Sequence, residues 1–458
     1  MPQTAELFFL DLLVSHGIPQ FDRRRRTRRD LTTSVPQVSE VWCDTVRGVE
    51  IQHLLVMDPA GCYELVGLPH PPEDPTCFAE LVSVLGPGRE VKPAGPPLRA
   101  PGHVVYRVRG QAVGSSSTVP DELASLVRAA LQQERGGPIP CTRAAWCREG
   151  WSEETAAWVN DVLAQQGVHR TGRSTVIKSW GLSHVERIPT SEGVRYLKAS
   201  SELFAHEPAT TAWLASVVPE VVPGVLAIDE PRGCLLMDAL PPAKPTLTIE
   251  QERIATCTAM AQVQVAVAGR YDELRATGAP ERGLASTGRE LADMLGTGID
   301  LRQLDGRRRQ ELEDGLDRAL GLLDDLAACG LPDVLVHGDL YPANVVAAAD
   351  GAVIFDWSDA CVGHLVLDLA HLCAVRPGTA QRELDWDAPW VQAYVVPWRE
   401  SCTEPMLRRA LELAGVADLA FQAVTYHRIQ ASLEPDARQD QTGATLRALS
   451  ALVDNLPA

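Results

Sequence analysis

The stretch Val334-Leu335-Val336-His337-Gly338-Asp339-Leu340-Tyr341-Pro342-Ala343-Asn344-Val345-Val346 constrains the fold of this 458-residue chain more than any other. An apolar run enters it, an apolar run leaves it, and a polar set sits between. A second apolar run, Ala352-Val353-Ile354-Phe355, follows and ends in Asp356-Trp357-Ser358-Asp359. Short buried strands joined by turns fit this alternation. Asn344 stands five positions after Asp339, and Asp356 seventeen. Two carboxylates and a carboxamide thus lie at strand ends, where loops carry function on a rigid base.

A single aspartate at a strand end is usually a cap or a solvated turn residue. The ordered set His337, Asp339, Asn344 and Asp356 between apolar strands is far rarer by chance. Phosphoryl transfer calls for these residue types. A carboxylate orients or deprotonates the attacking hydroxyl, and hard oxygen ligands hold Mg²⁺ beside the moving phosphate. The wording H-G-D-L-Y-P-A-N followed by I-F-D-W-S-D resembles the aminoglycoside phosphotransferase family and its relatives, the choline, homoserine, fructosamine and macrolide kinases. Protein kinases more often carry Arg where Gly338 sits and Phe-Gly after the metal-binding aspartate; here Trp357-Ser358 follows. The resemblance covers roughly residues 150–455. It implies a protein-kinase-like fold, ATP and Mg²⁺ as cofactors, and a small-molecule hydroxyl as acceptor. It also implies roles. Asp339 is the catalytic base, Asn344 and Asp356 are Mg²⁺ ligands, and His337 braces the loop by hydrogen bonding. Asp359 assists metal or substrate, and Asp368 ties down the loop.

The upstream half offers a test. A kinase needs a lysine on the third strand of its small lobe and a glutamate on the next helix to position it. Only four lysines exist, Lys92, Lys178, Lys198 and Lys244, in a chain whose other basic residues are arginines. Lys198 ends the strand-like Val194–Ala199, the expected place. Glu207 opens the following helix, with Pro208 suited to a first turn; its alternative reading is a contact with the helix dipole. No G-x-G-x-x-G loop precedes Lys198. The candidate phosphate-covering segment is Trp180-Gly181-Leu182-Ser183-His184, with Ser183 as donor. Backbone groups of Asp238, Ala239 and Leu240 are placed to bind adenine at a hinge, and Met237 is core or adenine-facing.

The organisation follows. Residues 1–140 mix short strands (Val41–Val46, Glu50–Met57, Val104–Val108) with proline loops at Pro71, Pro72 and Pro75 and at Pro93, Pro96, Pro97 and Pro101. A helix at 120–134 and a Gly136-Gly137-Pro138 linker follow. This is an additional α/β or α+β domain of unknown role. Residues 150–240 read as a small β-rich lobe: a helix over Trp151–Gln166, strands near 175–178, 184–188, 194–199, 225–228 and 234–237, and a helix near 208–217. Residues 241–458 read as a helical lobe, with helices near 249–278, 284–296, 306–329, 365–374 and 405–455 around a catalytic loop at 335–359. The fold class is therefore α+β and bilobal, with a cleft between lobes.

Composition bounds the partners. With 45% apolar and 22% charged residues the chain reads as globular. No apolar run approaches the roughly 20 residues of a membrane span, and Leu7–Val14 reads as a short helix without a basic n-region. A cytoplasmic protein without a membrane partner is expected. The net charge of -18 argues against nucleic acid as a partner and fits a cationic acceptor. Arg23–Arg26 with Arg28 and Arg29 reads as a solvated loop or an anion or partner contact. The eleven cysteines contain no C-x-x-C and read as reduced, packed thiols. Trp386, Trp390, Tyr394 and Trp398 are core residues or pocket walls. Three functions stay open: a kinase of an amine-bearing metabolite or antibiotic, a kinase of peptide Ser/Thr, and a nucleotide-binding pseudoenzyme.

Overall fold

The computed structural model describes residues 51–57, 63–68, 78–85, 89–100, 103–112, 119–134, 137–242, 247–297, 304–348, 351–373, 384–438, 441 and 443–457. The expected helix at Leu7–Val14, the strand Val41–Val46, the arginine cluster at 23–29, the Pro71–Pro75 loop, Pro101, Gly136, Lys244, Cys43, Cys62 and Cys77 lie outside the described residues.

The first sheet comprises β1 (Ile51–Met57), β2 (Tyr63–Gly67), β3 (Val91–Ala100) and β4 (His103–Gly110), in the order β2-β1-β4-β3. β1 runs parallel to β4; the other pairs are antiparallel. Strand periodicity sorts its side chains to two faces. Leu55 and Met57 meet Leu123, Val127 and Ala130 on one face, while Leu54 and Val56 meet Phe78 and Leu81 on the other. The prolines at 93, 96 and 97 lie within β3, contrary to the expected loop. β3 is an edge strand, where a missing N–H costs no ladder bond, and its register shifts at Pro93/Gly95 and Gly95/Leu98 absorb the misfit.

The second sheet is antiparallel throughout. It comprises β5 (Thr175–Ser179), β6 (Ser183–Thr190), β7 (Gly193–Ser200), β8 (Val225–Asp229) and β9 (Cys234–Asp238), in the order β5-β6-β7-β9-β8. The helix Trp151–Gln165 lays Trp151, Val159 and Leu163, on one helical face, against Ile188, Leu197, Ala199 and Leu236. Two buried side chains join the first sheet to the far end of the chain. Arg143 Nε donates to Glu434 Oε1 at 2.7 Å, and Arg143 Nη1 to the Ala94 carbonyl at 2.9 Å.

The remaining residues are mostly helical and share one large core with the strands of the polar motif. β10 (Asp333–Val336) pairs with β13 (Cys361–His364), and β11 (Val345–Ala348) with β12 (Gly351–Ile354), both antiparallel. The helix expected over 249–278 stops at Val267 and restarts at Tyr271, because Gly269 takes φ +77°. The helix expected over 405–455 divides into Glu404–Ser432, Pro435–Arg438 and Ala444–Asp454. Pro435 cannot continue the first, and Gly443 with φ +74° precedes the last. Trp386, Trp390, Tyr394 and Trp398 are buried core residues. Tyr394 Oη donates to the Leu365 carbonyl and accepts from Gln264, so this aromatic stripe holds the lobe together. Cys141, Cys147, Cys234, Cys257, Cys329, Cys361 and Cys402 are free thiols. Among the described residues no helix is long and apolar enough to cross a membrane. A five-stranded antiparallel sheet, a helix beside it and a helical lobe behind the polar motif make this part of the chain kinase-like, with a further sheet before it.

Candidate active site

Lys198 lies near the end of β7, the middle strand of the second sheet, and Glu207 is the first residue of the helix Glu207–Val217. Both are buried. Lys198 Nζ donates to Glu207 Oε1 at 2.6 Å and to Asp356 Oδ1 at 2.7 Å. Burial alone would disfavour the ammonium, but the Asp356 and Glu207 carboxylates outweigh it and hold Lys198 charged, above its ordinary pKa. The lysine thus bridges the sheet to the loop after β12. Ser200 Oγ donates to the second oxygen of Glu207.

Behind β10 the loop is built from backbone bonds. Asp368 Oδ2 accepts the His337 N–H at 2.9 Å, and Oδ1 the Gly338 N–H at 3.0 Å. Burial pushes the Asp368 carboxyl up to about 6 against those two bonds. His337 Nδ1 accepts the Asp339 N–H at 3.3 Å, which leaves Nε2 to donate to the Phe355 carbonyl at 3.0 Å. Its ring rests on Trp357, with centroids 4.7 Å apart, and Trp357 Nε1 donates to the Ile354 carbonyl. Gly338 has φ +83°, and a Cβ there would come within 2.6 Å of the Asp359 carbonyl. An arginine at this position would be strained and would collide with backbone.

Asp339 is held from two sides. Asn344 Nδ2 donates to its Oδ2 and to its carbonyl, each at 2.9 Å. His371 Nε2 lies 3.1 Å from its Oδ1. Asp356 has φ +65°, the only non-glycine residue with positive φ among those described. Such a conformation costs on the order of 1–3 kcal/mol and persists where the surroundings impose it; here Lys198 and Ser358 Oγ both grip Asp356 Oδ1. Asp359 is buried beside Gly338.

A cleft opens beside Lys198, lined by Lys178, Ser183, Tyr196, Met237, Leu240 and Asp356 among others. Its open volume is about 20 Å³, about the space one water needs. Ser183 Oγ accepts the Trp180 indole N–H at 2.9 Å. Gly181 is pressed against Leu433, and Leu182 is buried with Phe204, Leu433 and Ala437. Most of the Trp180–Ser183 turn therefore packs on the helical lobe, and only Ser183 of the expected phosphate-covering segment lines the cleft. The Asp238 N–H donates to the Gly224 carbonyl at 2.9 Å, which takes it out of play for a base. Its carboxylate lies 3.2 Å from Arg195. Leu240 lines the cleft; Ala239 is not among the lining residues.

The donor set suits a hard cation that also takes phosphate oxygens. With its Nδ2 committed to Asp339, Asn344 would offer Oδ1 to such a cation, and Asp356 a carboxylate. Among the described residues no cluster of three or more His, Cys, Asp or Glu is arranged to hold a metal. Sequence reasoning missed Lys178, Tyr196, His371, Asp418 and Gln422. Lys178 had a signal, as one of four lysines in an arginine-rich chain. The last three reach the site only through helix packing and had none.

Residues 195–404 match the Phosphotransferase enzyme family, APH. A search of curated proteins finds no match to the chain. Among solved structures, a macrolide 2'-phosphotransferase from Brachybacterium faecium is 21% identical, with 64% of this chain covering 98% of that one at a TM-score of 0.43. A choline/ethanolamine kinase family protein from Mesorhizobium loti is 17% identical (66% and 99% covered, TM-score 0.43). A choline kinase from Streptococcus pneumoniae is 11% identical (65% and 99% covered, TM-score 0.42). The family match begins on β7, before Lys198, and runs past His371, so it spans the Lys198–Glu207 pair, the Asp339 loop and Asp356. Residues 195–404, which hold every one of these side chains, are thus similar to phosphotransferases of the APH family.

Proposed function

We propose that this protein transfers the γ-phosphate of ATP, with Mg²⁺, to a hydroxyl of a small amine-bearing molecule, an aminoglycoside-like antibiotic or a metabolite. The observation that carries the reading is Lys198, held between Glu207 of one lobe and Asp356 of the other. When bound, Mg²⁺-ATP supplies the phosphoryl group and the cation that neutralises its charge. Lys198 binds nucleotide phosphates, and Ser183 adds a donor. Asn344 and Asp356 hold the cation. Asp339 receives the acceptor's hydroxyl proton, and its position is set by Asn344. His337, Asp368 and Trp357 keep the loop in shape. Asp238 and Leu240 form the hinge edge, with the Asp238 carbonyl in place of its N–H. In this reading residues 150–240 and 241–458 are the two lobes and residues 1–140 an accessory domain, in a cytoplasmic protein.

A cationic acceptor is supported by the acidic surroundings of Asp339: burial above all, with the Asp339, Asp359 and Asp418 carboxylates near it, pushes Tyr426 up to about 12. The narrow cleft favours a second reading, a regulator that does not turn over. A kinase with this cleft must open its lobes for each nucleotide, a gating step of the usual kind. The test is incubation with Mg²⁺-ATP and a panel of aminoglycosides, macrolides, amino alcohols, sugars and hydroxy amino acids. A product heavier by one phosphoryl group, absent with Asp339→Asn, is expected. Nucleotide binding without turnover across the panel would move the acceptor to a peptide. Absence of nucleotide binding would overturn the kinase reading.

A further inference from the structure

The ring of His371 stands between two carboxylates. Nε2 is 3.1 Å from Asp339 Oδ1, and Nδ1 is 3.0 Å from Asp418 Oδ1. His371 and Asp418 are both buried. A neutral imidazole would turn a lone pair toward one of these oxygens, so the arrangement calls for a proton on each nitrogen. Gln422 Nε2 also approaches Nδ1, at 3.3 Å, but Asp418 is nearer, and the amide donates to the Gly338 carbonyl at 3.1 Å. Burial by itself would strip the ring of its charge; Asp418 and the bonds to both carboxylates outweigh it.

The geometry of the supporting elements is economical. The helix Leu367–Cys373 supplies Asp368 to the loop backbone and, three residues on, His371 to the Asp339 side chain. The helix Glu404–Ser432 supplies Asp418 to the ring and, four residues on, Gln422 to the Gly338 carbonyl. Those spacings put each pair on one helical face. The outer torsion of an aspartate is broad and two-fold. Asn344 on one oxygen and His371 on the other therefore determine which lone pair a third group meets.

We propose that His371, held by Asp418, is a positioning residue that fixes the Asp339 carboxylate against the acceptor hydroxyl. This rests on the reading of Asp339 as the base. The expected signature is a loss in turnover with nucleotide binding intact, since neither residue lines the nucleotide cleft.

Two measurements on the full chain test it. Ring ¹⁵N NMR, with the His371→Gln spectrum assigning the signal, needs no acceptor. Both nitrogens protonated at about pH 7, where an unperturbed ring is mostly neutral, is expected; a neutral His371 there overturns the proposal. Kinetics with Mg²⁺-ATP and the panel member that reacts come second. His371→Asn keeps a donor for Asp418 but withdraws the one on Asp339. It should lower kcat by about 10–100-fold, the scale of a misplaced group, with KM for ATP within about twofold. His371→Gln, whose amide reaches toward the place of Nε2, should recover part of that loss. A folded His371→Asn with kcat within about twofold of wild type overturns the proposal. Should that variant fail to fold, the near-isosteric Asp418→Asn must lower kcat in the same sense, and unchanged kcat there is equally fatal. An inactive Asp339→Asn beside a fully active His371→Asn rejects this inference alone; an active Asp339→Asn rejects the base assignment itself.

Discussion

Two buried ion networks meet at the site, and they are built differently. Glu207–Lys198–Asp356 crosses from the sheet to the helical lobe, with partners on a strand, a helix and a loop. Asp418–His371–Asp339 lies wholly within the helical lobe, between two helices and a loop stitched to them by Asp368 and Gln422. Buried pairs are costly to break, because a lone charge is then left without water. A network that spans lobes therefore ties their separation to the fate of one lysine. A network inside one lobe stays put when the lobes part. On the proposed function, the first would respond to the arrival of phosphates and metal, and the second would keep a carboxylate aimed throughout.

That contrast can be broken experimentally. The largest effect belongs to Asp339→Asn, which should lower turnover by about 10²–10⁴-fold, the range for a lost general base, while calorimetry shows Mg²⁺-ATP binding retained. Full turnover in this variant would remove the inner network from the chemistry. Asp356→Ala should abolish the Mg²⁺-dependent part of nucleotide affinity, read by titration with and without the metal; equal affinity in the two conditions for wild type and variant would remove the outer network from metal binding. Trp357 sits under both, beside Asp356 and against His337. Trp357→Ala should cost about 3–5 kcal/mol in denaturant unfolding, and a loss well below 1 kcal/mol would show that the loops hold without it.

The smallest effect is a pH slope. Burial lowers the His364 pKa from 6.5 to about 4, and its Nε2 has no hydrogen-bond partner among the described residues. The unfolded chain then binds the extra proton between these values, so this histidine's share of stability grows from about pH 4 to about pH 6.5 and is complete above. Asp368 works in the opposite sense. Its folded pKa is raised from 3.8 to about 6, so its share is present at low pH and is lost as pH rises through that value. His364→Asn should flatten or reverse the rise in melting temperature over this window. An unaltered profile would mean that His364 is not a titrating group of the fold.

The loop that holds His337, Asp339 and Asn344 was legible in the sequence because its polar residues fall within one short stretch between apolar strands. Lys198 and Glu207 were legible because strand and helix signals bracket them. Pro93, Pro96 and Pro97 misled, since proline reads as a loop until the strand is known to lie at an edge. The helix breaks at Gly269 and Gly443 were passed over because apolar spacing resumes on the far side. His371, Asp418 and Gln422 could not be found by pattern. Each looks like an ordinary polar residue on an amphipathic helix, and only the packing of two helices against one loop brings them to Asp339.

The Arg143–Glu434 pair has a practical side. A fragment cut at the start of the Trp151–Gln165 helix would discard Arg143 and leave the Glu434 carboxylate without its guanidinium partner. That residue is the neighbour of Leu433, on which the Trp180–Ser183 turn rests. The damage would surface at the Trp180–Ser183 turn, of which Ser183 lines the cleft. A minimal expressible fragment should therefore begin ahead of Cys141, and one that begins after Arg143 should behave as a poor nucleotide binder for reasons unrelated to its catalytic residues.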